Sequence, residues 1–167
     1  VHGKTEPVMA ARVLEPIYDT TGEYGKLVDV LEVMVAHNED PLSRVELLHR
    51  IAQLHEQMIG NSNAAFDAYA RALRDDSGNQ LTLGHIERLA AINNSFDQLA
   101  RLYEGLAEPG IDVPRQVDLL SRLARVHEQE LGDVPKAIAT YRRILDAEFD
   151  NKPAVLALDR LYSATAA

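Results

Sequence analysis

Displaced by 72 residues, the chain falls on its own sequence without a gap. Val45-Glu46-Leu47-Leu48-His49-Arg50-Ile51-Ala52 meets Val117-Asp118-Leu119-Leu120-Ser121-Arg122-Leu123-Ala124, and His55-Glu56-Gln57 meets His127-Glu128-Gln129. The same shift carries Gly60 to Gly132, Ala65 to Ala137, Tyr69 to Tyr141, Arg71 to Arg143, Leu73 to Leu145 and Asn79 to Asn151. Run backward, it sets Leu14, Ile17 and Tyr24 on Ile86, Leu89 and Phe96, and Leu27, Leu31 and Glu32 on Leu99, Tyr103 and Glu104. Leu158, Leu161 and Tyr162 then open a third copy. A fixed period of this kind constrains the fold more than any local motif, because each copy must adopt one structure and bury its apolar face against the next.

Inside each copy the apolar residues recur at three- and four-residue steps, as in Leu47, Leu48, Ile51, Leu54 and Met58, then Phe66, Tyr69, Ala72 and Leu73. This is the period of an α-helix, and strand alternation is absent. Breakers fall where helices should end: Gly22, Asp40-Pro41, Gly60-Asn61, Ser77-Gly78, Asn93-Asn94, Pro109-Gly110, Gly132-Asp133 and Asp150. Nine helices are predicted, over 7–20, 24–37, 42–59, 63–75, 80–92, 96–107, 114–131, 134–147 and 152–164. Each 72-residue unit is two helical hairpins, and one further helix follows the second unit. Pro135 suits the first turn of its helix. Pro16 sits inside the first helix, costs a hydrogen bond to Arg12 and disfavours α conformation at Glu15, so a kink or break is expected there.

Composition narrows the chemistry. The formal charge of −9 and a lysine set limited to Lys4, Lys26, Lys136 and Lys152 argue against general nucleic-acid binding, which needs a basic surface. Without cysteine there is no disulfide, thiol catalysis or thiolate zinc site. With 46% hydrophobic residues the chain can bury a core, and no apolar run is long enough to span a bilayer. The start Val1-His2-Gly3-Lys4 carries neither an initiator Met nor a signal peptide. The expectation is a piece of a larger protein, with residues 1–6 a disordered or tag-derived terminus, 7–167 one helical repeat domain, and cytoplasmic residence by default.

Leu123-Ala124 followed by His127, then Leu131-Gly132-Asp133, then Ala137, Tyr141 and Ile144-Leu145 resemble the tetratricopeptide repeat. The resemblance covers essentially the whole chain and implies an all-α, right-handed solenoid of antiparallel hairpins. It implies that Ala52, Ala124, Ala65 and Ala137 are the small residues that let paired helices approach, and that Tyr69, Tyr103 and Tyr141 are the aromatics packed between them. The alternate hairpins depart from the pattern, with Leu27 and Leu99 in the small-residue place and no proline at Asp76-Ser77 or Glu148-Phe149. Such alternation is similar to degenerate arrays in long bacterial proteins. The last helix, carrying Val155, Leu156, Leu158, Leu161 and Tyr162, caps the array or awaits a partner, and weak self-association through it is expected.

The six histidines do not assemble a metal site: His49 and His55 fall on different helix faces, whereas paired ligands on one helix lie four apart. His55 and His127 are repeat equivalents, and a packing or hydrogen-bonding role is expected for both. Asp75-Asp76 beside Arg74 reads as solvated surface, and Ser95 as the cap of the sixth helix. There is no phosphate-cradling loop, nucleophile elbow or zinc-protease motif, so no catalytic residue, cofactor or metal is assigned. The resemblance implies instead a concave groove lined by the first helix of each hairpin. Projected onto it, Gln53, Arg88, Arg125 and Arg160 face the groove, flanked by His49, His85, Ser121, Gln57 and Gln129. Guanidinium groups pair two-pronged with carboxylates, which suits an acidic peptide. The competing expectation is that these arginines are neutralised from within by Glu56, Glu87, Asp118, Glu128 or Asp159.

The function expected is a protein-interaction scaffold without catalysis. The alternative is a regulatory or targeting arm of a larger enzyme or signalling protein. A catalytic or small-molecule-binding helical domain is disfavoured, because the polar residues are repeated packing types rather than a convergent set.

Overall fold

A computed structural model describes the backbone of residues 2–166 and the side chains of residues 6–166. Nine α-helices and no strand occur among the described residues. They are α1 (His2–Thr21), α2 (Tyr24–Ala36), α3 (Pro41–Gln53), α4 (Ser62–Asp75), α5 (Gln80–Asn93), α6 (Phe96–Leu106), α7 (Val113–Arg125), α8 (Val134–Ala147) and α9 (Lys152–Thr165). α3 and α7 each run on into a wider π-helical turn, Leu54–Ile59 and Val126–Glu130. The fold is thus an all-α helical repeat. It is described as two compact units, one ending at Asn93 and the other beginning at Asn94.

The boundaries repeat because their causes repeat. Asp40 and Asp112, 72 residues apart, cap α3 and α7 by accepting hydrogen bonds from the Ser43 and Arg115 backbone N–H groups at 3.1 and 3.0 Å. Asn61 and Asp133 do the same for α4 and α8, at Ala64 (3.0 Å) and Lys136 (3.1 Å). Asn79 and Asn151 serve Thr82 (3.1 Å) and Ala154 (3.0 Å) at the starts of α5 and α9. Both π turns are closed alike, Asn61 N–H donating to the His55 carbonyl and Asp133 N–H to that of His127, each at 2.7 Å. Gly60 (φ 79°) and Gly132 (φ 64°) make the left-handed step that this closure needs.

In the first unit α1 packs on α2, α2 on α3, α3 on α4 and α4 on α5. Leu27, Leu31, Leu48, Leu73, Ile86 and Leu89 are fully buried there. In the second unit α6 packs on α7, α7 on α8 and α8 on α9, around Leu99, Leu119, Leu120, Leu123 and Ile144. Each such side chain contributes roughly 1.5–3 kcal/mol by leaving water. α9 buries Ala154, Ala157, Leu158 and Leu161, and leaves Val155 and Leu156 exposed. A second set of ion pairs also repeats: Arg71 meets Glu32 two-pronged at 2.7 and 2.9 Å, and Arg143 meets Glu104 at 2.5 Å. Each joins the second helix of one hairpin to that of the next.

Three local expectations are revised. α1 begins at His2, within the stretch 1–6 read as a terminus, since extending an existing helix adds one hydrogen bond per residue ordered. It then runs unbroken through Pro16, which is exposed, so the Arg12 carbonyl it leaves unbonded is not trapped in the core. Ser95 does sit at the N-cap of α6, but its side chain makes no capping bond. Its buried hydroxyl has no partner among the described residues.

Candidate functional site

The candidate residues fall into two groups, one in each unit. In the first unit they form a packed ring cluster. His49, on α3, sets its ring edge-on to Tyr69 with centroids 5.1 Å apart, and its Nε2 lies 2.6 Å from the Thr82 hydroxyl. His85, on α5, stacks on the other side of the cluster against Tyr69, at 4.9 Å and 8° between planes. The two imidazoles are themselves edge-on at 6.1 Å. Burial, and secondarily the neighbouring His85, hold the His49 pKa below the ordinary histidine range, which favours its neutral form. Arg88 Nη2 closes the arrangement, 3.0 Å from Glu56 and 3.3 Å from His85 Nδ1. Gln53 and Gln57 are exposed beside it.

The second unit repeats the ionic half of this design and drops the ring half. Arg160 on α9 pairs with Glu128 in the π turn after α7, as Arg88 pairs with Glu56 one period earlier. Glu128 also accepts a hydrogen bond from the Tyr141 hydroxyl at 2.9 Å. The Arg160 contact first, and then the Tyr141 bond, hold the Glu128 carboxyl below its usual range. At the positions of His49, Thr82 and His85, however, this unit carries Ser121, Ala154 and Ala157. Where two imidazoles stood there is now a cavity of about 610 Å³, walled by Tyr141, Ile144, Leu156 and Ala157, with Ser121 and Arg125 at its polar side. Gln129 lines it as well.

The structure therefore separates the projected arginines. Arg88 and Arg160 are neutralised internally, by Glu56 and Glu128. Arg125, exposed and standing where the first unit has Gln53, makes a bond of 3.4 Å to the Ser121 carbonyl and meets no carboxylate among the described residues. The histidines form no metal set: no three potential ligands gather among the described residues. His55 and His127 pack as repeat equivalents, each with a buried Nδ1 lacking a partner among the described residues, and burial lowers the His127 pKa. Arg44 ties Asp75 at 3.0 Å and donates to the Val35 carbonyl, so that aspartate is a structural brace.

Tyr141, Glu128, Ala154 and Ala157 were not among the site residues read from the sequence. Tyr141 and Glu128 stand at matches of the 72-residue register, with Tyr69 and Glu56, whereas the signal for Ala154 and Ala157 lay in its mismatches, where Thr82 and His85 meet alanine. The Tyr141–Glu128 bond is directly testable. Burial first, and the bond to Glu128 second, push the Tyr141 hydroxyl up to about 12. Its folded value thus exceeds the unfolded one near 10, so its contribution to stability is complete below pH ~10 and is lost as pH rises toward ~12. NMR of ring-labelled tyrosine is expected to show one resonance titrating last. Glu128→Gln should lower that midpoint toward the ordinary value; an unmoved midpoint would rule the carboxylate out as a cause.

Residues 119–153, which take in the buried half of α7, all of α8 and the start of α9, match the model of the tetratricopeptide repeat family. The resemblance read from the residues holds on that stretch, whose repeat equivalent is residues 47–81. Among solved structures, nearly identical TPR-like repeats designated a putative kinesin light chain from Podosopora anserina are similar at 19% identity, with a TM-score of 0.48, over 96% of this chain and 89% of that one. A glutamine-to-methionine variant of the same repeats is similar at 18% identity, with a TM-score of 0.47, over 96% and 88%. No curated protein matches the chain. No helix among the described residues is long and apolar enough to cross a membrane.

Proposed function

We propose that this helical-repeat chain is a protein-interaction module whose first-helix faces bind an acidic stretch of another polypeptide, without catalysis. One observation carries this reading. On a chain of net charge −9, Arg125 keeps its charge unspent while Arg88 and Arg160 each have a glutamate of their own. A cation exposed beside an open cavity, on helices held rigid by repeat packing, is ready to take a carboxylate without first breaking an internal pair. Arg88 and Arg160 act as the rigid frame: exchanging an existing glutamate for a ligand carboxylate yields little net gain.

The test is a displayed peptide library panned against the chain and, in parallel, against Arg125→Glu and Arg88→Glu. Peptides rich in Asp and Glu are expected to be selected. Arg125→Glu should weaken them by about tenfold or more, the scale of one charge-assisted contact, and Arg88→Glu should cost them less. Failure to select any peptide, or selected peptides indifferent to Arg125, would overturn the proposal.

A further inference from the structure

The two units present the same backbone site in two states, filled and open. In the first, His85 lies flat on Tyr69 and His49 stands at its edge. In the second, the tyrosine, the glutamate and the arginine are all retained, while the three side chains that filled the space have shrunk to Ser121, Ala154 and Ala157. A cavity of about 610 Å³, within the size range of pockets that take small organic groups, is lined there by Tyr141, Ile144, Ala157 and Leu156, the last standing where the first unit has Gly84. At its mouth the first unit's neutral Gln53 is replaced by Arg125. Two of these changes remove a ring each, and the one at Arg125 adds a cation beside the gap.

We infer that the cavity between α7, α8 and α9 is a specificity pocket for an aromatic side chain flanked by a carboxylate, the incoming ring stacking on Tyr141 where His85 stacks on Tyr69. The inference rests on the proposed binding of an acidic polypeptide and names the residue that such a ligand must carry. The ring is favoured over an aliphatic group because the platform is already used for stacking one period earlier, at 4.9 Å and 8°. The neighbouring carboxylate is set by Arg125, and the apolar walls come from Ile144, Leu156 and Ala157. Glu128 is occupied by Arg160 and Tyr141, so it neither attracts a ligand cation nor repels the carboxylate as an unpaired charge would.

The internal repeat supplies its own control. The triple variant Ser121→His, Ala154→Thr, Ala157→His transplants the first unit's filling into the second, using side chains already compatible with that backbone. The reverse triple, His49→Ser, Thr82→Ala, His85→Ala, opens a second cavity over Tyr69. Three probes are titrated by NMR, read at the Tyr141 ring and the Ala154 and Ala157 methyls: acetyl-Asp-Phe-Asp-amide, acetyl-Asp-Ala-Asp-amide and 3-phenylpropionate. The phenylalanine peptide is expected to bind about tenfold tighter than the alanine peptide, the size of one offset-stacked ring contact. That advantage should vanish in the filled triple variant, and the opened variant, once Gln53→Arg is added to it, should gain a second site detected at the Tyr69 ring. Equal affinity of the two peptides for the natural chain overturns the ring pocket and leaves the acidic-peptide reading standing. Absence of binding by both peptides, with none selected from the library, overturns both. Phenylpropionate binding as tightly as the phenylalanine peptide overturns the polypeptide source.

Discussion

Replacing Tyr69 with alanine is expected to lower the unfolding free energy by about 3–5 kcal/mol, the range for deleting a buried aromatic side chain. Tyr69 is 1% exposed and is the shared face of the ring cluster: His85 lies flat against it and His49 meets it edge-on. Its loss removes the apolar burial, opens a cavity and strips both imidazoles of their stacking partner, so three terms add with the same sign. Because a typical domain holds only about 5–15 kcal/mol in reserve, the variant should lie near the edge of folding at room temperature. The equivalent Tyr141→Ala is expected to cost less, since no imidazole stacks on that ring, which lines a cavity at 7% exposure. Urea unfolding of the two variants side by side decides it. Equal costs would mean that the first unit's rings are not packed as a core.

The second large effect runs in the opposite direction, from adding atoms. Ala124 and Ala137, both 0% exposed, lie on α7 and α8 of one hairpin, as Ala52 and Ala65 do on α3 and α4. The packed helices leave no room for a longer side chain, so Ala124→Leu is expected to destabilise by about 1–3 kcal/mol despite being more apolar. Ala139→Leu on the exposed side of α8 is the control, expected within about 0.5 kcal/mol of the natural chain. Thermal unfolding followed by circular dichroism measures both. If Ala124→Leu were neutral or stabilising, the close approach of the helices would not depend on a small residue there.

The periodicity reading of the chain succeeded where interactions are short in sequence and failed where they are long. The caps at Asp112, Asp133 and Asn151 each act across three residues, and the helices they start follow from residues no further apart than a turn. Pro16 shows the limit of even that logic: the local cost of a proline was legible, but its exposure, which lets the helix tolerate it, was not. Ser95 shows it again, correctly placed at a helix start with its hydroxyl turned to the interior rather than to the first turn.

The candidate site sharpens the same division. The projected row of arginines was identified residue by residue, yet its charge state depended on partners 32 residues away, Glu56 for Arg88 and Glu128 for Arg160. Nothing in the spacing of either pair along the chain distinguishes them from Arg125, which has no such carboxylate among the described residues. The sequence alone determined that this protein is a helical repeat with hairpin boundaries at set places, because helix period, capping and breaking act over one or two turns. Only the tertiary structure decided which arginine stays available and that the second unit holds a cavity where the first holds rings, because both depend on which side chains from separate helices reach the same few ångströms of space.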